Sequence, residues 1–366
     1  MKRVVMFLIS ASLALVVVAQ RQVQQLADSV VKYQMKSGGW PKNQDWLKGV
    51  DAKEAKEWRK TGIGSTIDNG ATTSEMETLA KAVAYMDKMA ADVPKWADVD
   101  LMKERRGRYC EAFVRGLEYL LKMQYEHGGF PQFYPAKKVE DYSRQITFND
   151  NAMVNVLKLL RDVARDDERF VAMGIEKSMK KKCQQAYAKG VECVLNCQIR
   201  VDEKGRVVDF GTDAWRNGQR TVWCQQHDKD TFAPVKARAY ELPSFSGCGE
   251  TCAILNLLMD VENPSEEVRE AVKCGIEWLE AHAMKGVALE RFTNEEGKPD
   301  VKLVERKDAP LLWARFYDLA NAAPMYCDRD GVPRTSLSEV GYERRNGYSW
   351  VSDGPSKVIE RFKTWY

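Results

Sequence analysis

The chain has 366 residues, 44% of them hydrophobic and 30% charged, with 56 Lys and Arg against 53 Asp and Glu for a formal charge of +3. That near-balance excludes the global basic field on which a nucleic-acid binder depends. With only three histidines, His127, His227 and His282, His-rich metal sites and triads are poorly supplied, so chemistry falls to carboxylates, Lys or Arg.

The first 20 residues, MKRVVMFLISASLALVVVAQ, join Lys2-Arg3 to an apolar run from Val4 to Val18 and small residues ending at Ala19. This pattern predicts a secretory signal peptide cleaved after Ala19, and the run is short for a bilayer span of about 20 residues. Removing 19 of the 366 residues leaves 347, with a charge of +1. The expectation is one catalytic domain over residues 20–366, monomeric, without a membrane span, in the periplasm or secreted. The nine cysteines have no framework spacing. Cys193/Cys197 and Cys248/Cys252 sit four apart in helical patterns, so each pair shares a helix face and is poorly placed for a disulfide. They are expected as small buried apolar residues, with one or two long-range disulfides open to an exported chain.

Apolar periodicity predicts a helix from Val23 to Tyr33, closed by Gly38-Gly39 and Pro41. The arrangement recurs in GLEYLLKMQYEHGGFPQFYP from Gly116: a helix, a Gln, then Gly-Gly-aromatic-Pro, with Gln124 in the place of Gln34. A third copy starts at Gly190 with Gln198, and a degenerate fourth at Cys274. A second kind of helix follows a polar, acidic loop. Asp68-Asn69 precedes Met76, Leu79 and Val83; Asp150-Asn151 precedes Met153, Val156, Leu157 and Leu160; Ser246 and Glu250 replace the aspartates in a third loop. Taken alone, Asp150 reads as an N-cap; three loops of one grammar suggest one shared site.

The three Gln are 90 and 74 residues apart, so each repeat is an αα-hairpin with long loops. Such hairpins bury their apolar faces on one another and can close into a ring. The expected fold is all-α: an (α/α)3 toroid of helical hairpins with long loops and little β structure. RVVDFG and QRTVWCQQ predict one short β-hairpin. Asp92–Arg108 and Arg200–Arg220 read as insertions, and Ala322–Tyr366 as a turn-rich wrap around the core.

Aromatic residues crowd the loops: Trp40, Phe130, Phe133, Tyr134, Trp215, Trp223 and Tyr240. Aromatic faces in an open cleft suit flat sugar rings; the other reading is that they plug the loop interface. Asp68 and Asp150, with Asn69, offer oxygen ligands from distant segments, the shell a hard cation such as Ca²⁺ takes. Arg238 lies in APVKARAYELPS, Arg315 in PLLWARFYDL, read as an apolar helix, and Arg329 in MYCDRDG. An Arg on an apolar helix usually snorkels or pairs. Three of them beside acidic loops suit a polyanionic sugar, because guanidinium binds carboxylate through two parallel bonds.

GGWPKN (38–43), TIDNGAT (66–72), GGFPQFYP (128–135), ITFNDNAMVNVLKLLRDVA (146–164), TVWCQQHD (221–228) and ARAYELPSFSG (237–247) together resemble the signature blocks of polysaccharide lyase family 10, the pectate lyases. They occur in family order and span most of the chain. The resemblance implies an (α/α)3 toroid that cleaves polygalacturonate, an acidic polysaccharide, by Ca²⁺-assisted anti β-elimination. It implies that Asp68 and Asp150 are calcium-associated, that Arg238 abstracts the C5 proton, and that Asn69, Arg315 and Arg329 bind substrate. His227 lies in a family block but is read as structural. SGCGE stands where the family has a Ser-Gly-Ser-Glu-Ser type of run, and the gap between TIDNGAT and TFNDNAM is longer here. The other readings are a lyase for another uronate polymer, an inactive sugar-binding toroid, and a glycoside hydrolase, which needs two carboxylates across the scissile bond.

Overall fold

The computed structural model describes residues 22–90, 99–136 and 142–365. The expected signal peptide and residues 92–98 of the first expected insertion lie outside them. In chain order the helices are α1 (22–32), α2 (Ala52–Thr61), α3 (Thr73–Ala90), α4 (Val99–Met123), α5 (Ala152–Ala164), α6 (Glu168–Val171), α7 (Lys177–Cys197), α8 (Asp213–Asn217), α9 (Gly249–Met259), α10 (Glu266–Ala281), α11 (Tyr342–Asn346) and α12 (Gly354–Phe362). Helix dominates as expected, and most strands are two residues long. The described residues fall into two compact units: one within Met1–Met123, Phe133–Lys137 and Leu159–Ala186, the other within Gln124–Gln132, Lys138–Lys158 and Tyr187–Tyr366.

In the first unit α3 packs along α4. Residues 99–108, expected as an insertion, are the first turns of the 25-residue α4. Lys103, Glu104, Arg105 and Arg108 mask the helical period, but Tyr109 is fully buried, and Arg106 ties α4 to Asp87 of α3 at 2.7 Å and to the Ala172 carbonyl at 2.6 Å. The segment is therefore a core helix with a charged outer face.

In the second unit α12 packs on α9 and α10, so the C-terminal stretch ends in a helix rather than in turns. Its Arg361 donates to Asn256 Oδ1 at 2.7 Å and pairs with Asp260. Val287–Thr293 and Pro299–Glu305 form a seven-residue antiparallel hairpin that the sequence reading did not foresee. The short hairpin expected in the third loop exists with a different first arm: Arg200–Val201 pairs with Gln219–Arg220, and Val207 only bridges Val201. PLLWARFYDL is not a helix. Trp313–Ala314 pairs with Val351–Ser352, and Phe316–Tyr317 pairs with both Phe245–Ser246 and Pro324–Cys327. Arg315 between them donates its amide to the Trp350 carbonyl and accepts from the Gly247 amide. Backbone partners on both sides override the apolar run.

The repeats are visible in the hydrogen bonds. Gln34 donates to the Gly38 carbonyl at 2.7 Å and Gln124 to the Gly128 carbonyl at 3.0 Å. In both turns the residue after the Gln donates its amide to the second Gly, Met35 to Gly39 and Tyr125 to Gly129. Both first glycines have positive φ, +102° and +96°, and a Cβ would lie 2.4 Å from the Arg115 carbonyl oxygen at Gly38 and 2.0 Å from that of Lys189 at Gly128. Only glycine fits both requirements. Gln198 instead donates to the Thr221 and Ala271 carbonyls. A tryptophan pin marks three of the four copies: the fully buried Trp40, Trp223 and Trp313 donate their indole N–H to Val30, Val194 and Leu279, in α1, α7 and α10. Most of the loop aromatics are thus core plugs rather than open faces: Trp40, Phe130 and Trp223 are fully buried, and Phe133 and Tyr240 nearly so. All nine cysteines are free thiols, most of them buried.

Candidate active site

Two of the acidic loops share one conformation. Asp68–Gly70 and Asn149–Asn151 are single 3-10 turns whose middle residues, Asn69 and Asp150, both have φ 53°. Asn and Asp tolerate this left-handed region better than other side chains. The turns therefore equate Asp68 with Asn149 and Asn69 with Asp150, one residue away from the sequence alignment of Asp68-Asn69 with Asp150-Asn151. The incoming backbone agrees, since Thr66, Thr147 and Ser246 each donate an amide to the carbonyl of an aromatic, Trp40, Phe130 and Trp223.

The slip places the two aspartates differently. Asp68, in the first unit, is fully buried; its amide donates to Thr66 Oγ1, and its Oδ2 accepts from the Lys42 ammonium. Its Oδ1 is buried without a hydrogen-bond partner among the described residues. Asn69 is exposed and donates to Asn43 Oδ1 at 3.0 Å. Asp150, in the second unit, is exposed at the tip of its turn, where Oδ2 accepts from Asn149 Nδ2 at 2.7 Å.

The second unit gathers the three arginines around two tyrosines. Arg238 donates to the Tyr240 hydroxyl at 2.9 Å, and its Nε lies 3.6 Å from Glu241. Arg329 stands over the Tyr240 ring at 5.8 Å. Tyr240 meets Tyr348 edge-on, with centroids 5.5 Å apart, and Arg315 lies 4.4 Å over Tyr348. Arg315 Nη2 in turn donates to Asn149 Oδ1 at 3.2 Å, beside Asp150. Arg344 packs on both rings, at 4.5 and 5.2 Å.

Each of the three expected arginines already faces a carboxylate. Arg329 and Glu343 form an exposed two-bond pair at 2.8 and 3.0 Å. Arg315 donates to the buried Glu250 at 2.7 Å; Gln225 and Ser246 also donate to that carboxylate. Burial opposes the charge on Arg238, yet the Tyr240 hydrogen bond and the Glu241 carboxylate outweigh it and hold the guanidinium above its ordinary range. Burial pushes Glu241 upward. Sequence reasoning singled out Glu250 in the third loop but not its pairing with Arg315; Glu241, Glu343, Lys42 and Tyr348 it did not assign.

His227 is structural, as expected. It is fully buried, its Nε2 accepts from the Cys224 amide at 3.0 Å, and its Nδ1 donates to the Phe232 carbonyl at 2.6 Å. One acceptor and one donor fix the neutral tautomer, and burial lowers its pKa to about 4.

The residue types fit a hard cation in part. Asp68 offers a buried oxygen that lacks a partner, and Asp150 an exposed carboxylate. Among the described residues, however, no three His, Cys, Asp or Glu are grouped to hold an ion.

A family model described as pectic acid lyase matches residues 34–359. The chain belongs to that family. A family 10 polysaccharide lyase from Cellvibrio cellulosa is 30% identical, with 93% of this chain and 91% of that chain covered and a TM-score of 0.72. A mutant of a family 10 polysaccharide lyase from the same organism, in complex with trigalacturonic acid, is 29% identical over 93% of this chain and 92% of that one, also with a TM-score of 0.72. No curated protein matches the chain. The pectic acid lyase family and its enzyme class, both read from the signature blocks, therefore hold.

Proposed function

We propose that the chain cleaves polygalacturonate by anti β-elimination with Ca²⁺, and that Arg238 takes the proton from C5 of a galacturonate unit. The observation behind this reading is the gathering of Arg238, Arg315 and Arg329 about Tyr240 and Tyr348, next to Asp150, in a chain with almost no net charge. Such a local concentration of guanidinium groups suits a polyanion.

The C5 proton lies α to a carboxylate, so removing it adds negative charge beside an existing one. Calcium, for which Asp68 and Asp150 are the assigned oxygen donors, would neutralise that uronate charge when bound. Arg329 and Arg315 are assigned to the sugar carboxylates. The exposed Arg329–Glu343 pair is cheap to exchange, because solvent screens a surface ion pair and little is lost when it opens. Arg315 sits against buried Glu250 and keeps only part of its donor fork for substrate. Asn69, on its exposed turn, is assigned a hydrogen bond to substrate.

Arg238 is the demanding assignment. A guanidinium ordinarily stays protonated above about pH 12, and Glu241 and Tyr240 reinforce that state. The base role therefore requires substrate binding to displace the Glu241 contact, and alkaline pH favours it. Arg238→Ala should cut the formation of unsaturated product, read by ultraviolet absorbance on polygalacturonate, by about 10²–10⁴-fold, and chelation should stop the wild type. Full activity in Arg238→Ala, or a wild-type optimum near about pH 5, refutes the base assignment. A cleaved product without ultraviolet absorbance refutes the elimination.

A further inference from the structure

We infer a second sugar subsite in the first unit, a groove along α2 that selects an uncharged pyranose ring. The inference rests on the lyase reading for its substrate class. The groove has a volume of about 700 Å³, within the roughly 300–1,000 Å³ of small-molecule sites. Its walls include Lys42, Asn43, Trp58 and Phe133, and one side is the face of α2 that presents Glu54 and Glu57.

Helical spacing sorts the charges of α2. Glu54, Glu57, Trp58 and Thr61 share the face that lines the groove, whereas Lys53, Lys56 and Lys60 do not line it. Lys42, the one cation among the described lining residues, has its ammonium on the buried Asp68. Asp51 is committed to the N-terminus of α2, where its side chain accepts from the Lys53 and Glu54 amides. Glu54 and Glu57 are exposed and have no ion-pair partner among the described residues. The wall that faces an occupant is therefore negative.

A negative wall repels a uronate carboxylate and tolerates a ring without one. The same wall offers what a neutral ring uses. Trp58 is half-buried and lines the groove, where its indole ring and N–H suit a sugar. Asn43 and Gln44 add amides, and Glu54 and Glu57 accept from sugar hydroxyls. Two ring types share this chemistry: a methyl-esterified galacturonate and a neutral hexose. Lys42, one of the lining residues, bonds Asp68, so an occupant would lie near a residue assigned to calcium.

The test uses the purified full chain and two variants, Glu54→Gln/Glu57→Gln and Trp58→Ala. Rates of unsaturated-product formation are measured on de-esterified polygalacturonate, on its methyl-esterified form, and on a polymer alternating uronate with neutral sugar. Glu54→Gln/Glu57→Gln, on an exposed helix face, should lower KM for the de-esterified polymer about threefold and leave kcat unchanged. Trp58→Ala should raise KM about tenfold on whichever of the other two polymers supplies the ring, and leave the de-esterified polymer unaffected. Calorimetric titration of the corresponding trimers should show the same contrasts in Kd, so the groove is tested even where no polymer is cleaved. Loss of all unsaturated product from the wild type counts against the lyase reading alone. Unchanged KM and Kd ratios in both variants overturn the subsite. So does weaker binding of the de-esterified ligand to Glu54→Gln/Glu57→Gln, which would make the two acids holders of a cation.

Discussion

His227 should make the folded state lose stability in mild acid. It is fully buried and locked neutral between the Cys224 amide and the Phe232 carbonyl, with a pKa lowered from 6.5 to about 4. The unfolded chain takes up this proton as pH falls through about 6.5, while the folded chain does not until about 4. The contribution is therefore complete above the unfolded value and is lost as pH falls across that window. Between about pH 7 and about pH 5 the loss is about 2 kcal/mol, at about 1.4 kcal/mol for each pH unit in which only the unfolded state binds the proton. Carboxylates titrate in the same region, so the measurement is a comparison. Urea unfolding of the wild type and His227→Gln at several pH values should give a shallower dependence for the variant by about 2 kcal/mol over that interval. Parallel curves for the two proteins would show that His227 is charged or exposed in the folded state.

Other substitutions probe separate features. Arg315→Ala leaves Glu250, 2% exposed, as a buried carboxylate without its cation and should cost about 3–5 kcal/mol in urea unfolding; a loss under about 1 kcal/mol contradicts the buried pair. Gly128→Ala combines positive φ with a Cβ 2.0 Å from the Lys189 carbonyl oxygen and should destabilise by about 1–3 kcal/mol or more. A melting temperature equal to that of the wild type would mean the turn can relax. Asp68→Ala and Asp150→Ala should each raise the calcium concentration for half-maximal lyase activity at least about tenfold; unchanged calcium curves remove the assignment.

The repeats were legible because their signals are local and chemically narrow. A Gly-Gly turn pressed against a carbonyl admits no side chain, and the Gln that closes it recurs at Gln34 and Gln124. The alignment of the acidic loops slipped by one residue because Asn and Asp serve equally in the left-handed position that Asn69 and Asp150 occupy. The segment around Arg315 was misread because a short apolar run has no period that separates a buried strand from a helix. Its backbone partners, Gly247 and Trp350, are far away in sequence. The pairing of Glu250 with Arg315 was hidden for the same reason, since the two are 65 residues apart. Residue types at the candidate site could be read one by one, whereas their pairing is tertiary.

Each compact unit is stitched from three separate stretches of chain. The first needs residues as far along as Ala186 before its set of segments is complete, and the second begins at Gln124 yet ends at Tyr366. A ribosome delivers the N-terminus first, so the chain as far as Ala186 must emerge before the earlier unit can close. Ordering such distant segments costs loop entropy ahead of any contact that rewards it, which slows folding. A fragment ending at Met123 would expose the apolar faces of α3 and α4 without Phe170, whose ring packs at a tilt against Phe113 in the folded chain.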